Sequence, residues 1–145
     1  MTANTADGKN ESLPKQVIIN LEEPFVDERG KIIPLVDFPM KSCVLITSKR
    51  GTIRANHYHK TDWHFCYILN GSIEYYHRPV GGKEPPEKIL VKQGQLFFTP
   101  PMVEHAMVFK EDTTFLTLGG NSRKQQAYES DLIRTELVKH DVAFQ

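Results

Sequence analysis

Three histidines, His57, His59 and His64, fall within eight residues of apolar, strand-like sequence in the run GTIRANHYHKTDWHFCYILNG, between Gly51 and Gly71. Side chains alternate across a strand with period two, so His57 and His59 point to one face. A fourth imidazole, His105, follows in TPPMVEH. Imidazole is the commonest transition-metal ligand at neutral pH. A chain that gathers such residues on strands calls for a β-scaffold with a pocket inside it.

The flanking sequence agrees. Short β-prone runs (QVIINL, KIIPLV, SCVLITS, GTIRANHYH, WHFCYIL, SIEYYHR, KILVK, QLFFT, HAMVF, TTFLTL and LIRTELV) are separated by Gly, Pro, Asn and Asp. That rhythm predicts an all-β, antiparallel sandwich or barrel with little place for helix. Asn70-Gly71 predicts a two-residue hairpin between WHFCYIL and SIEYYHR, with positive φ at both turn positions. If the strand of His57 and His59 ends near Lys60, Thr61 and Asp62 make a turn and His64 returns on the neighbouring strand. Alternation then sets Cys66 and Ile68 on the face of His64, and Phe65, Tyr67 and Leu69 on the other. His105 opens HAMVF after Pro100-Pro101, with Met107 and Phe109 sharing its face. The stretch PVGGKEPPEK, 79–88, reads as a long loop.

Residues 1–14 lack apolar periodicity and read as a mobile tail, leaving 15–145 as one domain. A chain of 145 residues is long enough to bury one core without disulfides. Eighteen Lys+Arg balance eighteen Asp+Glu. That leaves neither a nucleic-acid footprint nor a polybasic membrane patch, so the expected partners are small molecules or copies of the chain. No apolar run approaches the ~20 residues of a membrane helix. Cys43 and Cys66 sit in apolar runs and no basic-then-apolar leader opens the sequence, which predicts a cytoplasmic protein. An exposed strand at QVIINL would pair with the sheet edge of a second copy, predicting a homodimer.

The spacing resembles a known pair of motifs. Gly51, His57-Tyr58-His59, His64 and Gly71 resemble the first cupin motif, G-x5-H-x-H-x3-4-E-x6-G, with His64 in the glutamate slot. Gly94, Pro100 and His105 resemble the second, G-x5-P-x-G-x2-H-x3-N, with Met102 where glycine is usual and Phe109 where asparagine is. The resemblance implies a jelly-roll barrel (double-stranded β-helix), often dimeric, that holds a divalent metal. A finer resemblance runs through Phe25-Val26-Asp27-Glu28-Arg29-Gly30, Arg54 ahead of His57-Tyr58-His59-Lys60, Pro100-Pro101-Met102-Val103-Glu104-His105, and Tyr128-x2-Asp131-x2-Arg134. These are similar to the sugar-nucleotide cupins, the dTDP-4-dehydrorhamnose 3,5-epimerases and the dTDP-4-keto-6-deoxyhexose 3,4-ketoisomerases. Such enzymes move protons beside a ketone with histidine bases and no metal. Two departures stand out: Ala55 replaces the glycine of the ketoisomerase pattern R-G-x-H-A-H-K, and His64 stands where glutamine is usual.

These residues allow a definite chemistry. His57, His59, His64 and His105 offer neutral nitrogen donors that suit Zn, Fe, Ni, Cu or Mn. With histidine in the glutamate slot the ion keeps its full charge and favours an anionic ligand such as a carboxylate or enediolate. Proton transfer would fall to His57 or to Tyr67 or Tyr75. Arg54 reads as a phosphate clamp, although strict alternation turns it from the face of His57 unless a bulge intervenes; a surface ion pair is the plainer alternative. Lys60 and Arg29 are substrate contacts only by the resemblance; by themselves they read as turn residues. His77 and His140 lie outside the motifs and read as ordinary hydrogen-bonded residues. Three functions follow: a metal-binding isomerase or epimerase of a sugar or nucleotide-linked keto-sugar, an Fe(II) dioxygenase, and a non-catalytic carbohydrate- or metal-binding module.

Overall fold

The structure is a computed structural model that describes residues 12–145, so residues 1–11 of the tail expected at 1–14 lie outside it. In chain order the elements are β1 (Phe25–Asp27), β2 (Gly30–Ile32), β3 (Ser42–Ser48), β4 (Thr52–His59), β5 (His64–Asn70), β6 (Ser72–Pro79) and β7 (Glu87–Lys92). There follow β8 (Leu96–Thr99), β9 (Val103–Phe109), β10 (Thr113–Gly119), helix α1 (Gln125–Asp131), β11 (Leu132–Arg134) and helix α2 (His140–Ala143). Strands β3-β10-β5-β8 form one antiparallel sheet and β11-β4-β9-β6-β7 another. The short β1-β2 hairpin stands as a sheet of its own. Among the described residues no helix is long and apolar enough to cross a membrane.

Alternation along the strands makes both sheets two-faced. From β5 and β10, Cys66, Ile68 and Phe115 point between the sheets, where they meet Ile73, Tyr75, Val91 and Phe109 from the other sheet. Phe65 and Tyr67 point outward, into a second cluster with Leu96 and Phe98. The segment around QVIINL covers that outer face. Ile19 N donates to Leu96 O at 2.9 Å, and Phe98 N donates to Val17 O at 2.9 Å. This stretch pairs with β8 of its own chain instead of offering a free edge strand.

Two connections differ from the expectation. Strands β5 and β6 lie in different sheets, so Asn70-Gly71 is a crossover between layers and not a hairpin turn. Gly71 alone takes a positive φ, 94°. A Cβ there would lie 2.6 Å from Asp112 O, so close backbone approach as well as turn geometry requires glycine. Likewise β4 and β5 do not pair, and the turn after His59 carries the chain from one sheet to the other. His64 therefore faces the other histidines across the sandwich. The two short helices near the C-terminus, which the sequence pattern does not show, flank β11, and β11 closes the edge beside β4.

Candidate active site

The site begins with a bulge. The pairing of β4 with β9 shifts register between Ala55 and His57, and Ala55 and Asn56 both take left-handed backbone, φ 71° and 54°. Asn56 tolerates this region better than most residues. Its side chain also clasps the C-terminal segment: Nδ2 donates to Val138 O at 3.0 Å, and Val138 N donates to Oδ1 at 3.1 Å. A bulge resets the alternation of a strand. In consequence Arg54 and His57 line the same cavity. The Arg54 guanidinium is held there by β3, with Nε donating to Ser48 Oγ at 2.5 Å and Nη2 to Thr47 O at 2.9 Å.

Four buried imidazoles converge from three strands. His57 pairs with His105 across the β4-β9 ladder, and His59 lies two residues further on β4. Their rings stand edge to face, with centroids 4.8 Å apart for His57 with His59, His57 with His105, and His59 with His64. One nitrogen each from His57, His59 and His105 lie within 4.8 Å of one another. His64 is otherwise engaged: its Nε2 donates to Asp62 Oδ2 at 3.0 Å.

Burial sets the charge of the trio. Removal from water, with the neighbouring imidazoles His105, His59 and His64 adding to it, lowers the His57 pKa to about 2. Burial lowers His105 to about 3 against the opposing hydrogen bond to Val103 O. Burial and His64 lower His59 to about 4, opposed by Asp62 and Asp131. All three are neutral donors at physiological pH. His105 donates from Nδ1 to Val103 O at 2.9 Å, which leaves Nε2 as its free donor atom. His59 Nδ1 lies 3.5 Å from Asp131 Oδ2, and neither of its buried ring nitrogens has a hydrogen-bond partner. Asp131 is fixed by Thr61 Oγ1 at 2.7 Å and by the backbone N–H groups of Thr61 and Asp62, both at 3.0 Å.

A cavity of about 110 Å³ opens beside these rings. Arg54, His57, His64, His105, Arg123 and Tyr128, with the hydroxyls of Thr99 and Thr117, supply its polar wall, and Ile46 and Met107 lie on the apolar side. Among the described residues that line it there is no carboxylate. Arg123 lies over the Tyr128 ring, 4.2 Å from its centroid. Burial raises the Tyr128 phenol, with Arg123 opposing, so it keeps its proton and is a donor.

Other expected site residues lie elsewhere. Tyr75 is buried with its hydroxyl 2.7 Å from Thr99 Oγ1, and burial pushes its pKa upward; it is absent from the cavity wall. Tyr67 packs in the outer cluster with Phe65 and Phe98, on the far side of its sheet from the cavity, because it is one residue out of phase with Cys66. Lys60 is exposed at the end of β4, tied by its backbone N–H to Asp131 O at 2.8 Å. Arg29 is exposed on the β1-β2 turn and pairs with Asp27. Sequence reasoning missed Arg123 and the carboxylates Asp62 and Asp131 as partners of the imidazoles. Tyr128 and Asp131 do fall in the closing Tyr128-x2-Asp131-x2-Arg134 stretch; Arg123 has no comparable signal.

The donor set fits a first-row divalent ion. Three neutral imidazoles converge, His59 with both buried ring nitrogens free of hydrogen bonds and Asp131 Oδ2 3.5 Å from its Nδ1, while His105 Nδ1 bonds Val103 O, the outer-sphere pattern that orients a histidine ligand.

Comparison with known proteins places the fold. The cupin domain family model matches residues 44–118, just over half of the chain. The chain is a cupin. Its two packed antiparallel sheets are the jelly roll of that family. No curated protein sequence matches it. Among solved structures, this cupin is similar to a double mutant of the 3,4-ketoisomerase from Thermoanaerobacterium thermosaccharolyticum in complex with TDP. They share 24% identity over 81% of this chain and 86% of that one, with a TM-score of 0.65. A 3,4-ketoisomerase from Helicobacter canadensis is 22% identical over 81% and 88%, with a TM-score of 0.66. The dTDP-4-dehydrorhamnose 3,5-epimerase from Sulfolobus tokodaii is 14% identical over 86% of each chain, with a TM-score of 0.63. All three share its fold.

Proposed function

We propose that this cupin is an isomerase or epimerase of a nucleotide-linked keto-sugar, with residues 15–145 as its single domain and a divalent transition metal held by His57, His59 and His105. The observation that carries the reading is a cavity walled by two guanidiniums and buried imidazoles, with no carboxylate among its described lining residues. That lining favours an anionic ligand. Guanidinium binds phosphate through paired hydrogen bonds, and Arg54 and Arg123 are the groups to hold a diphosphate. A space of about 110 Å³ suits the reacting end of a pyranose and leaves the nucleoside outside. The similar structures, two 3,4-ketoisomerases, one of them holding TDP, and a dTDP-4-dehydrorhamnose 3,5-epimerase, support the substrate class.

The chemistry follows from the wall. Loss of a proton beside a ketone gives an enediolate, whose charge needs stabilisation. A bound ion supplies Lewis acidity for that charge. Arg54, fixed by Ser48 and Thr47, orients the diphosphate; Ile46 and Met107 exclude water; the Tyr128 hydroxyl donates to a developing oxyanion. His57 faces the cavity and in the ion-free site takes the proton and returns it to the neighbouring carbon of the enediolate; with an ion bound its lone pair would be engaged and it would act as a ligand alone. The Tyr67 and Tyr75 assignments are replaced by Tyr128, which reaches the cavity. A soluble, cytoplasmic homodimer is part of the reading. Phe25, Val26 and Ile32 of the β1-β2 hairpin, all exposed, are the apolar surface that a second copy would cover.

Incubation of the protein with TDP-4-keto-6-deoxyglucose in deuterated water tests the reaction. Deuterium should enter at the carbon beside the ketone, and His57→Ala should slow its entry by about 10²-fold or more. Elemental analysis should find an ion in the wild type that His57→Ala loses. A folded protein that incorporates no deuterium sinks the reaction, and an ion-free protein after metal loading sinks the metal.

A further inference from the structure

The trio leaves out His64, and the geometry gives it a separate task. We propose that His64 contacts the substrate, with Asp62 locking its tautomer so that Nδ1 accepts a hydrogen bond from a hydroxyl of the sugar. This rests on the reading of the cavity as a sugar site.

Asp62 is the anchor. It is almost fully buried, and its carboxylate takes three hydrogen bonds: Trp63 N at 2.8 Å and Asn121 N at 2.9 Å on Oδ1, and His64 Nε2 at 3.0 Å on Oδ2. Oδ1 is met by two backbone N–H groups, which can only donate, and Oδ2 faces the imidazole. An ionised carboxylate only accepts. The hydrogen therefore sits on His64 Nε2, and a neutral imidazole protonated at Nε2 presents Nδ1 as a lone pair.

The ring is also held in place sterically. His64 pairs with Gly119 of β10, where a Cβ would lie 3.0 Å from His64 Cδ2 and 2.8 Å from Ser42 Oγ. The Cδ2–Nε2 edge thus lies against Gly119 and Asp62, while the ring lines the cavity. Nδ1 has no hydrogen-bond partner among the described residues. Arg54 and Arg123 can only donate. Were the lone pairs of the trio given to an ion, His64 Nδ1 would be the imidazole acceptor left for a sugar hydroxyl, beside the hydroxyls of Thr99, Thr117 and Tyr128 on the same wall. A fixed acceptor discriminates by the group it meets: a substrate with the hydroxyl satisfies it, and a deoxy analogue leaves it unpaired.

Two measurements on the full chain test this. Long-range ¹H–¹⁵N correlation of the imidazoles, with the His64 signals assigned by their loss in His64→Leu, should show the Nε2–H tautomer in the wild type. Asp62→Asn can offer an amide N–H to Nε2 and should move the hydrogen to Nδ1. Calorimetric titration with TDP-glucose and its monodeoxy analogues should find one hydroxyl whose removal weakens wild-type binding about tenfold and Asp62→Asn binding less than twofold. A wild-type Nδ1–H tautomer overturns the proposal without any variant. So does the same deoxy penalty in wild type and Asp62→Asn. Failure of the wild type to bind TDP-glucose overturns the sugar-nucleotide reading and this one with it, whereas binding with the opposite tautomer overturns this one alone.

Discussion

At one end of the space between the sheets, Ile68, Ile73, Val91, Phe97, Phe109 and Phe115 are fully occluded and pack as hydrocarbon. At the other, His57, His59, His64 and His105 are nearly as buried, yet they bring ring nitrogens, two neighbouring carboxylates and a strained bulge. The same strands build both ends, since β5 carries His64 and Ile68, and β9 carries His105 and Phe109. The apolar end gains by leaving water, whereas the imidazole end keeps the rings of His57, His59 and His105 neutral against their ordinary basicity. The contrast teaches that stability and chemistry are divided along each strand and not between strands.

The largest expected effect is acid sensitivity of the chelated, metal-free protein. Folded His57, His105 and His59 titrate at about 2, 3 and 4, against 6.5 in the unfolded chain. The unfolded state thus binds more protons below pH 6.5, and stability falls as pH falls, down to the folded values. Between pH 7 and 5 each imidazole costs about 2 kcal/mol, roughly 6 in all as an order of magnitude. Urea unfolding at the two pH values measures it. Equal midpoints would mean that the imidazole end is not buried as described.

At the apolar end, Phe97→Ala should cost about 3–5 kcal/mol by leaving a cavity under Tyr75, whose ring centroid lies 4.7 Å from that of Phe97. This loss should be the same at pH 7 and pH 5, because no titrating group moves with it. A pH-dependent loss would show that the two ends are coupled. A loss below about 1 kcal/mol would show that the site collapses to fill the space.

Much of this division is legible in the sequence, because period-two alternation is local. SCVLITS is β3 residue for residue, and the opposite facing of Cys66 and Tyr67 follows from counting along one strand. What depends on partners far along the chain is not legible. Asn70-Gly71 carries the local mark of a hairpin, yet β5 finds β10 and β8 and β6 finds β9 and β7, so the same dipeptide becomes a crossover. The convergence of the imidazoles was readable from motif spacing, but the withdrawal of His64 was not. Asp62 reads as a turn residue until the fold buries it and brings Asn121 N against it. Arg123 reaches the cavity only because the connection after β10 folds back over Tyr128.

The smallest expected effect lies in the backbone beside the imidazoles. Ala55 at φ 71° and Met102 at φ 61° hold left-handed conformations at two positions where the related sequence patterns carry glycine. Each flanks the site: Ala55 opens the bulge that brings Arg54 to the cavity, and Met102 N donates to His59 O at 2.8 Å. A side chain in that region costs about 1–2 kcal/mol, and glycine gives back part of the gain through a freer unfolded chain. Ala55→Gly and Met102→Gly should therefore each raise stability by about 0.5–1 kcal/mol, read from urea midpoints at pH 7. Lower midpoints in both would mean that the surrounding contacts favour these side chains by more than the strain they carry. Raised midpoints would add a second cost to the imidazole end, paid in backbone conformation as well as in desolvated nitrogen, with the apolar end of the same strands supplying what offsets both.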